Sequence, residues 1–202
     1  MKQTPKVNYQ LVLEQTLRDI CAAGRRPSLL LHSCCAPCSS YVLEYLTQYL
    51  DITVFYYNPN ISPEKEYRHR VDEQQRLIRE MCPDVHFIEG TYEPERFYAM
   101  AKGLEQEPER GRRCLKCYRL RLEETARIAV QKQMDFFTTT LTISPQKDSA
   151  VLNAIGREVS DAYGVPYLFS DFKKRGGYKR SIELSAQYGL YRQNFCGCVF
   201  SH

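Results

Sequence analysis

Seven of the nine cysteines fall in three short knots. Cys34, Cys35 and Cys38 lie in His-Ser-Cys-Cys-Ala-Pro-Cys, Cys114 and Cys117 form Cys-Leu-Lys-Cys, and Cys196 and Cys198 form Cys-Gly-Cys. A thiolate is a soft ligand for iron–sulfur clusters or zinc, and two thiolates a few residues apart can exchange with a disulfide. Four thiolates complete a 4Fe–4S or structural zinc site. The first two knots alone offer five, Cys34, Cys35, Cys38, Cys114 and Cys117. On spacing alone zinc and iron–sulfur stand level. Cys196 and Cys198 read as extra ligands, as a structural pair, or as a dithiol that cycles with a disulfide. The last is the favoured reading, because the intervening Gly197 permits a tight backbone and the segment is expected to be free to swing. Cys21 and Cys82 lie on helical stripes and read as small core residues.

A secreted disulfide framework fits poorly. Met-Lys-Gln-Thr-Pro-Lys at positions 1–6 holds no apolar run, so no secretory leader is expected. The cysteine count is odd, and 202 residues with 43% hydrophobic content can build a core without staples. No apolar run approaches the roughly 20 residues that cross a bilayer. The expectation is a cytoplasmic protein, off the membrane, whose reduced thiols bind something.

The net charge of +4 is mild, but its distribution is informative. Arg110, Arg112, Arg113, Lys116, Arg119 and Arg121 surround the second knot, and Lys173, Lys174, Arg175, Lys179 and Arg180 form a second basic run. Such runs are usually solvated faces; around a reactive centre they also suit a polyanion such as nucleic acid. Tyr178, Tyr188 and Tyr191 could stack on an extruded base, although core packing is the better reading for any one of them.

The elements that must position these groups alternate strand and helix. Apolar runs at 28–32, 52–57, 85–88, 136–140 and 165–169 read as strands, the last weakened to an edge by Pro166. Helices are expected over 8–23, from Pro37, from Pro63 with Ser62 as cap, around 94–104, from the Cys114/Cys117 pair, over 148–163 up to Gly164, and around 179–188. The pattern predicts one α/β domain over 1–202, doubly wound, with a mostly parallel sheet. Ligands of such sheets sit beyond the carboxyl ends of the strands, where strand order reverses. The first knot leaves strand one, and Thr138 to Asp148 leaves strand four, so both should reach that mouth. A zinc ribbon normally sits on hairpin knuckles instead, and placement at the mouth favours a working centre. Asp148 reads first as a helix cap, with ligation or proton donation as its functional alternative. His32 reads as a core-facing strand residue and His69 as solvated. The loop after strand one, Ser33 to Ser40, has no glycine and contains Pro37, so the phosphate cradle of nucleotide-binding relatives of this fold is missing.

Over essentially its whole length the sequence resembles the cobalamin-independent epoxyqueuosine reductases of the QueH type. The resemblance rests on His32–Cys38, Tyr57-Asn-Pro-Asn-Ile61, Arg113–Tyr118, Thr138–Leu141 with Ser144-Pro145 and Lys147-Asp148, Lys173-Lys174 with Gly177-Tyr178, and Tyr191–Cys198. It implies a nucleotide-hydrolase-like (Rossmann-like) α/β fold. It also implies reduction of epoxyqueuosine to queuosine at the wobble position of a tRNA anticodon, with a 4Fe–4S cluster. Carried over, Cys34, Cys35, Cys114 and Cys117 become cluster ligands, and Cys196 and Cys198 a redox-active pair. Cys38 either replaces Cys34 or holds a second, mononuclear iron, and the electron donor is unassigned. An iron–sulfur tRNA sulfur-transferase, or a non-catalytic zinc-binding RNA module, is the alternative.

Overall fold

Along the first strand Leu29 and Leu31 point to one side and Leu30 to the other, the two-residue alternation of a pleated strand. All three are fully buried, so both faces of the sheet must be covered. A computed structural model, describing residues 7–201, shows how. The stretch 1–6, read above as lacking a leader, lies outside the described residues.

Strands β1 (Ser28–Ser33), β2 (Asp51–Tyr56), β3 (His86–Glu89) and β4 (Phe136–Thr139) form an all-parallel sheet in the order β3-β2-β1-β4. Helices α1 (Tyr9–Ala22) and α2 (Ala36–Leu46) cover the Leu29 and Leu31 face, joined by Ile78 of α3 (Glu64–Met81). Beyond β3, α4 (Pro94–Ala101) precedes α5 (Arg112–Gln131). Together α5 and α6 (Ser149–Tyr163) cover the Leu30 face, through Leu122, Ala126, Leu152, Ile155 and Val159. Helix α7 (Gly177–Gln187) packs on α2. Its first glycine is obligatory, because a Cβ on Gly177 would lie 2.0 Å from the Phe172 carbonyl oxygen. This is the doubly wound α/β architecture expected from the sequence.

Three local expectations are corrected. Segment 165–169 runs beside β4 but makes only the Phe137–Tyr167 bridge. Pro166 has no N–H to offer, and further on the Asn153 carboxamide engages both the N–H (3.0 Å) and the carbonyl (2.8 Å) of Ser170. Pro63, not Ser62, stands at the N-cap of α3; the Ser62 N–H instead donates to the Gly197 carbonyl at 2.9 Å. Cys21 is exposed, since the buried stripe of α1 passes through Leu13, Leu17 and Ile20. Cys82 is half-buried against the core, as expected of a packing residue. No helix among the described residues is long and apolar enough to cross a membrane.

Candidate metal and redox centre

The sheet order reverses at β1, where β2 pairs on one side and β4 on the other. A crevice must open beyond the carboxyl ends of these two strands. A cavity of about 1060 Å³ lies there, lined by residues of all three cysteine knots.

The first knot leaves β1 directly. Cys35 stands in extended conformation at the N-cap of α2, followed by Ala36 and Pro37 in the first turn, where proline's missing N–H costs nothing. The helix turn brings Cys38 back beneath Cys34 and Cys35, so all three sulfurs lie within 4.8 Å of one another. The Cys34 and Cys35 sulfurs are 3.8 Å apart, and the Thr140 hydroxyl, just beyond β4, donates to Cys34 at 3.4 Å. Charge is shared unequally among these thiols. Hydrogen bonds from Cys35 and Cys38, with help from the Lys147 charge and Thr140, hold Cys34 well below the usual thiol range despite its burial. The same sharing with Cys34, together with burial, pushes Cys35 up to about 12 and Cys38 well above the ordinary value. Cys34 is thus the most acidic member of a triad of soft donors.

The second knot opens α5. Cys114 sits in its first turn, at the positive end of the helix, and accepts the backbone N–H of Arg110 at 3.3 Å. Arg110 reaches that position with a left-handed φ of 68°. Cys114 lines the cavity. Cys117, one turn on, does not; it packs against Phe97, Ala101, Cys198 and Phe200, and burial pushes it up to about 12.

The third knot is pinned rather than loose. Besides the Ser62 contact, Arg70 Nη1 donates to the Cys196 carbonyl at 3.2 Å. Asn60 Nδ2 reaches the Cys196 sulfur at 3.9 Å, and Arg113 Nη2 donates to the Phe200 carbonyl at 3.2 Å. Gly197 adopts φ 92°, where an L side chain would be strained. Both Cys196 and Cys198 line the cavity, and all nine cysteines are free thiols.

The donor set therefore fits an iron–sulfur cluster: soft thiols from separate elements meet at one cavity, with buried cationic side chains in its wall. Arg121 in particular is 2% exposed, with its Nε and Nη2 unpartnered, which suits a centre of net negative charge.

Other sequence expectations resolve as follows. His32 is fully buried, with Nδ1 at 2.8 Å from Thr139 Oγ1 and Nε2 at 3.1 Å from the Tyr57 carbonyl, and burial lowers its pKa to about 3. His69 is exposed, against the Tyr191 ring. The Asp148 carboxylate caps α6 by accepting the Ala150 N–H at 2.8 Å, and it does not line the cavity. Its neighbour Lys147 does: burial opposes its charge, but the Cys196 and Cys34 sulfurs outweigh that and raise its pKa. Tyr178 lines the cavity, whereas Tyr188 packs near Leu77 and Leu190.

The basic runs divide. Arg113 and Arg121 are buried; Arg112, Arg119, Lys173, Arg175 and Arg180 are in ion pairs. Arg110, Lys116, Lys174 and Lys179 remain exposed and outside any ion pair among the described residues. Arg70 was not named from the sequence, Arg121 was named only as a member of a basic run, and Lys147, Asn58 and Asn60 only within the motifs of the resemblance. For Asn58, Asn60 and Arg70 the signal was position, just past the end of β2 or on the helix that follows it.

Comparison with known proteins agrees with this arrangement. The family model described as "Epoxyqueuosine reductase QueH" matches residues 29–202. A Staphylococcus epidermidis protein of that name is 46% identical over 97% of this chain and 85% of its own length. The Streptococcus pyogenes serotype M1 protein of that name is 44% identical, over 100% and 80%. The Thermotoga maritima protein of that name is 36% identical, over 86% and 90%. On these matches the chain belongs to the epoxyqueuosine reductase QueH family, a family of oxidoreductases.

Proposed function

We propose that this protein reduces epoxyqueuosine to queuosine at the wobble position of tRNA, with a 4Fe–4S cluster held by Cys34, Cys35 and Cys114 at the cavity and by Cys117, one turn beyond Cys114 and off the cavity wall. The observation that supports this most is the meeting of three distant cysteine knots at one cavity beside the switch point of the sheet. When bound, the cluster would supply electrons one at a time, and an iron with an open coordination position would polarise oxygen. Cys38, the spare member of the triad, is the candidate ligand of a second, mononuclear iron.

Removing an epoxide oxygen as water consumes two electrons and two protons. Oxidising the Cys196 and Cys198 dithiol to its disulfide releases the same number of each, so this pair is the local store, restored by an outside electron donor. The Lys147 ammonium is the candidate proton source for the leaving oxygen, because it lines the cavity. Asp148, the acid named from sequence, is committed to its cap. Arg110, Lys116, Lys174 and Lys179 would meet the phosphates of the anticodon arm, and Tyr178 offers a face for a base.

The test is anaerobic purification, analysis for iron, labile sulfide and zinc, and incubation with epoxyqueuosine-containing tRNA and a low-potential reductant. Brown protein with about four cluster irons and conversion to queuosine is expected. Stoichiometric zinc without labile sulfide and without turnover would overturn the proposal and favour a zinc-binding RNA module.

A further inference from the structure

Three arginines are buried around the centre, and they differ in what holds them. Arg113, 1% exposed, spreads its guanidinium over the carbonyls of Leu104, Glu105, Glu107 and Phe200. Arg70, 2% exposed, pairs with the Glu66 carboxylate at 2.7 Å and with the Cys196 carbonyl. Arg121, equally buried, has neither a carboxylate nor a cage of carbonyls. Its one side-chain hydrogen-bond partner among the described residues is the Asn58 carboxamide, which accepts from Nη1 at 3.0 Å, and its guanidinium carbon lies 5.9 Å from the Tyr118 ring centroid. Asn58 is itself fixed, its Nδ2 donating to the Ser33 carbonyl at 2.9 Å. The guanidinium is therefore held rigidly from one edge, while Nε and Nη2 stay unpartnered in the cavity wall.

A buried cation without a counter-anion is costly, and a buried N–H without an acceptor adds to the cost. The acidic groups around Arg121 are thiols: Cys117, four residues earlier and one helical turn back along α5, with Cys34 and Cys196, which line the same cavity as Arg121. We infer that Arg121 is the counter-cation of the sulfur centre, a positioning residue whose free N–H groups hydrogen-bond a thiolate or sulfide and set the reduction potential. This rests on the cluster reading above. Adding an electron makes the centre more negative by one charge, and both a fixed cation and N–H donors to sulfur favour the reduced form. Arg121 therefore raises the potential.

The test is a redox titration of the holoprotein under anaerobic conditions, followed by absorbance and by the paramagnetic signal of the reduced centre, with no tRNA present. In Arg121→Gln the charge is gone, and the midpoint should fall so that the reduced fraction at the wild-type midpoint drops several-fold. In Arg121→Lys the charge stays but the two N–H donors are lost, and a smaller downward shift is expected. Iron and labile sulfide are measured on each. Variants that hold wild-type iron and titrate at the wild-type midpoint would overturn the inference. If Arg121→Gln fails to fold, Arg121→Lys decides alone, and an unshifted midpoint and signal there overturn it equally. Wild-type protein without iron or labile sulfide is a different result, which overturns the cluster reading and this inference with it.

Discussion

Arg70, on α3, holds the carbonyl oxygen of Cys196 at 3.2 Å while its Nε pairs with Glu66 at 2.7 Å. The guanidinium is 3% exposed and the carboxylate 15%, so this ion pair within α3 is little screened by water, and it holds the guanidinium where it reaches the distant Cys196 carbonyl. Replacing Arg70 with Leu leaves Glu66 as an uncompensated, largely buried charge, at a cost of about 3–5 kcal/mol. Thermal denaturation should show the loss. Limited proteolysis should show faster cleavage around residues 192–199 in the variant than in the wild type. Equal cleavage would mean that other contacts hold the third knot.

The three knots are expected to separate by variant. Cys114→Ser should bleach the holoprotein, because a hydroxyl is a poor cluster ligand. Cys196→Ser and Cys198→Ser should keep colour and iron but lose multiple turnover. Iron content and epoxyqueuosine reduction, measured side by side, check this. Loss of iron in both of the latter variants would make the third knot a ligand set.

For tRNA binding, the ion pairs sort the basic residues. Lys116→Gln and Lys174→Gln should each lower the slope of log affinity against log salt by about one unit. Arg113→Met should leave the slope unchanged and lower the melting temperature, because its guanidinium faces carbonyls and not solvent. A filter-binding or fluorescence titration at several salt concentrations is the measurement.

Acid should loosen the third knot through Glu73. Hydrogen bonds from Arg76 chiefly, and from the Tyr191 N–H at 2.8 Å, hold its carboxyl below the ordinary 4.5. The folded state therefore favours the charged form. Its stabilisation is present above pH 4.5 and is lost as the pH falls through the lowered value. Glu73→Gln should flatten the acid limb of the stability curve and leave neutral pH less affected. An unchanged acid limb would show that other carboxylates control it.

Much of this was legible in the residues. Periodicity found the four strands, Gly164 ends α6 in a left-handed conformation at φ 72°, and Asp148 caps the same helix. The cysteine spacing and the rule for parallel sheets together located the cavity. What escaped was the facing of side chains within a charged run. Arg113 and Arg121 belong to a basic run that reads as solvated, and only their facing takes them inside, Arg113 onto the carbonyls of Leu104, Glu105, Glu107 and Phe200 and Arg121 onto Asn58. The pinning of Cys196 escaped for a related reason. Arg70 and Cys196 are 126 residues apart, and nothing local to either announces the other.

The order in which the chain is made gives the scattered knots a further meaning. The sulfurs of Cys34 and Cys35 exist from the first strand onward, yet Cys114 reaches them only once α5 has packed. Contacts of such long sequence separation form late in folding. An unfinished chain therefore carries thiols but no complete metal site, and early metal capture would yield incomplete, misliganded species. Loading of metal should follow folding and not guide it, so protein refolded without iron should take up a cluster afterwards as well as protein refolded in its presence.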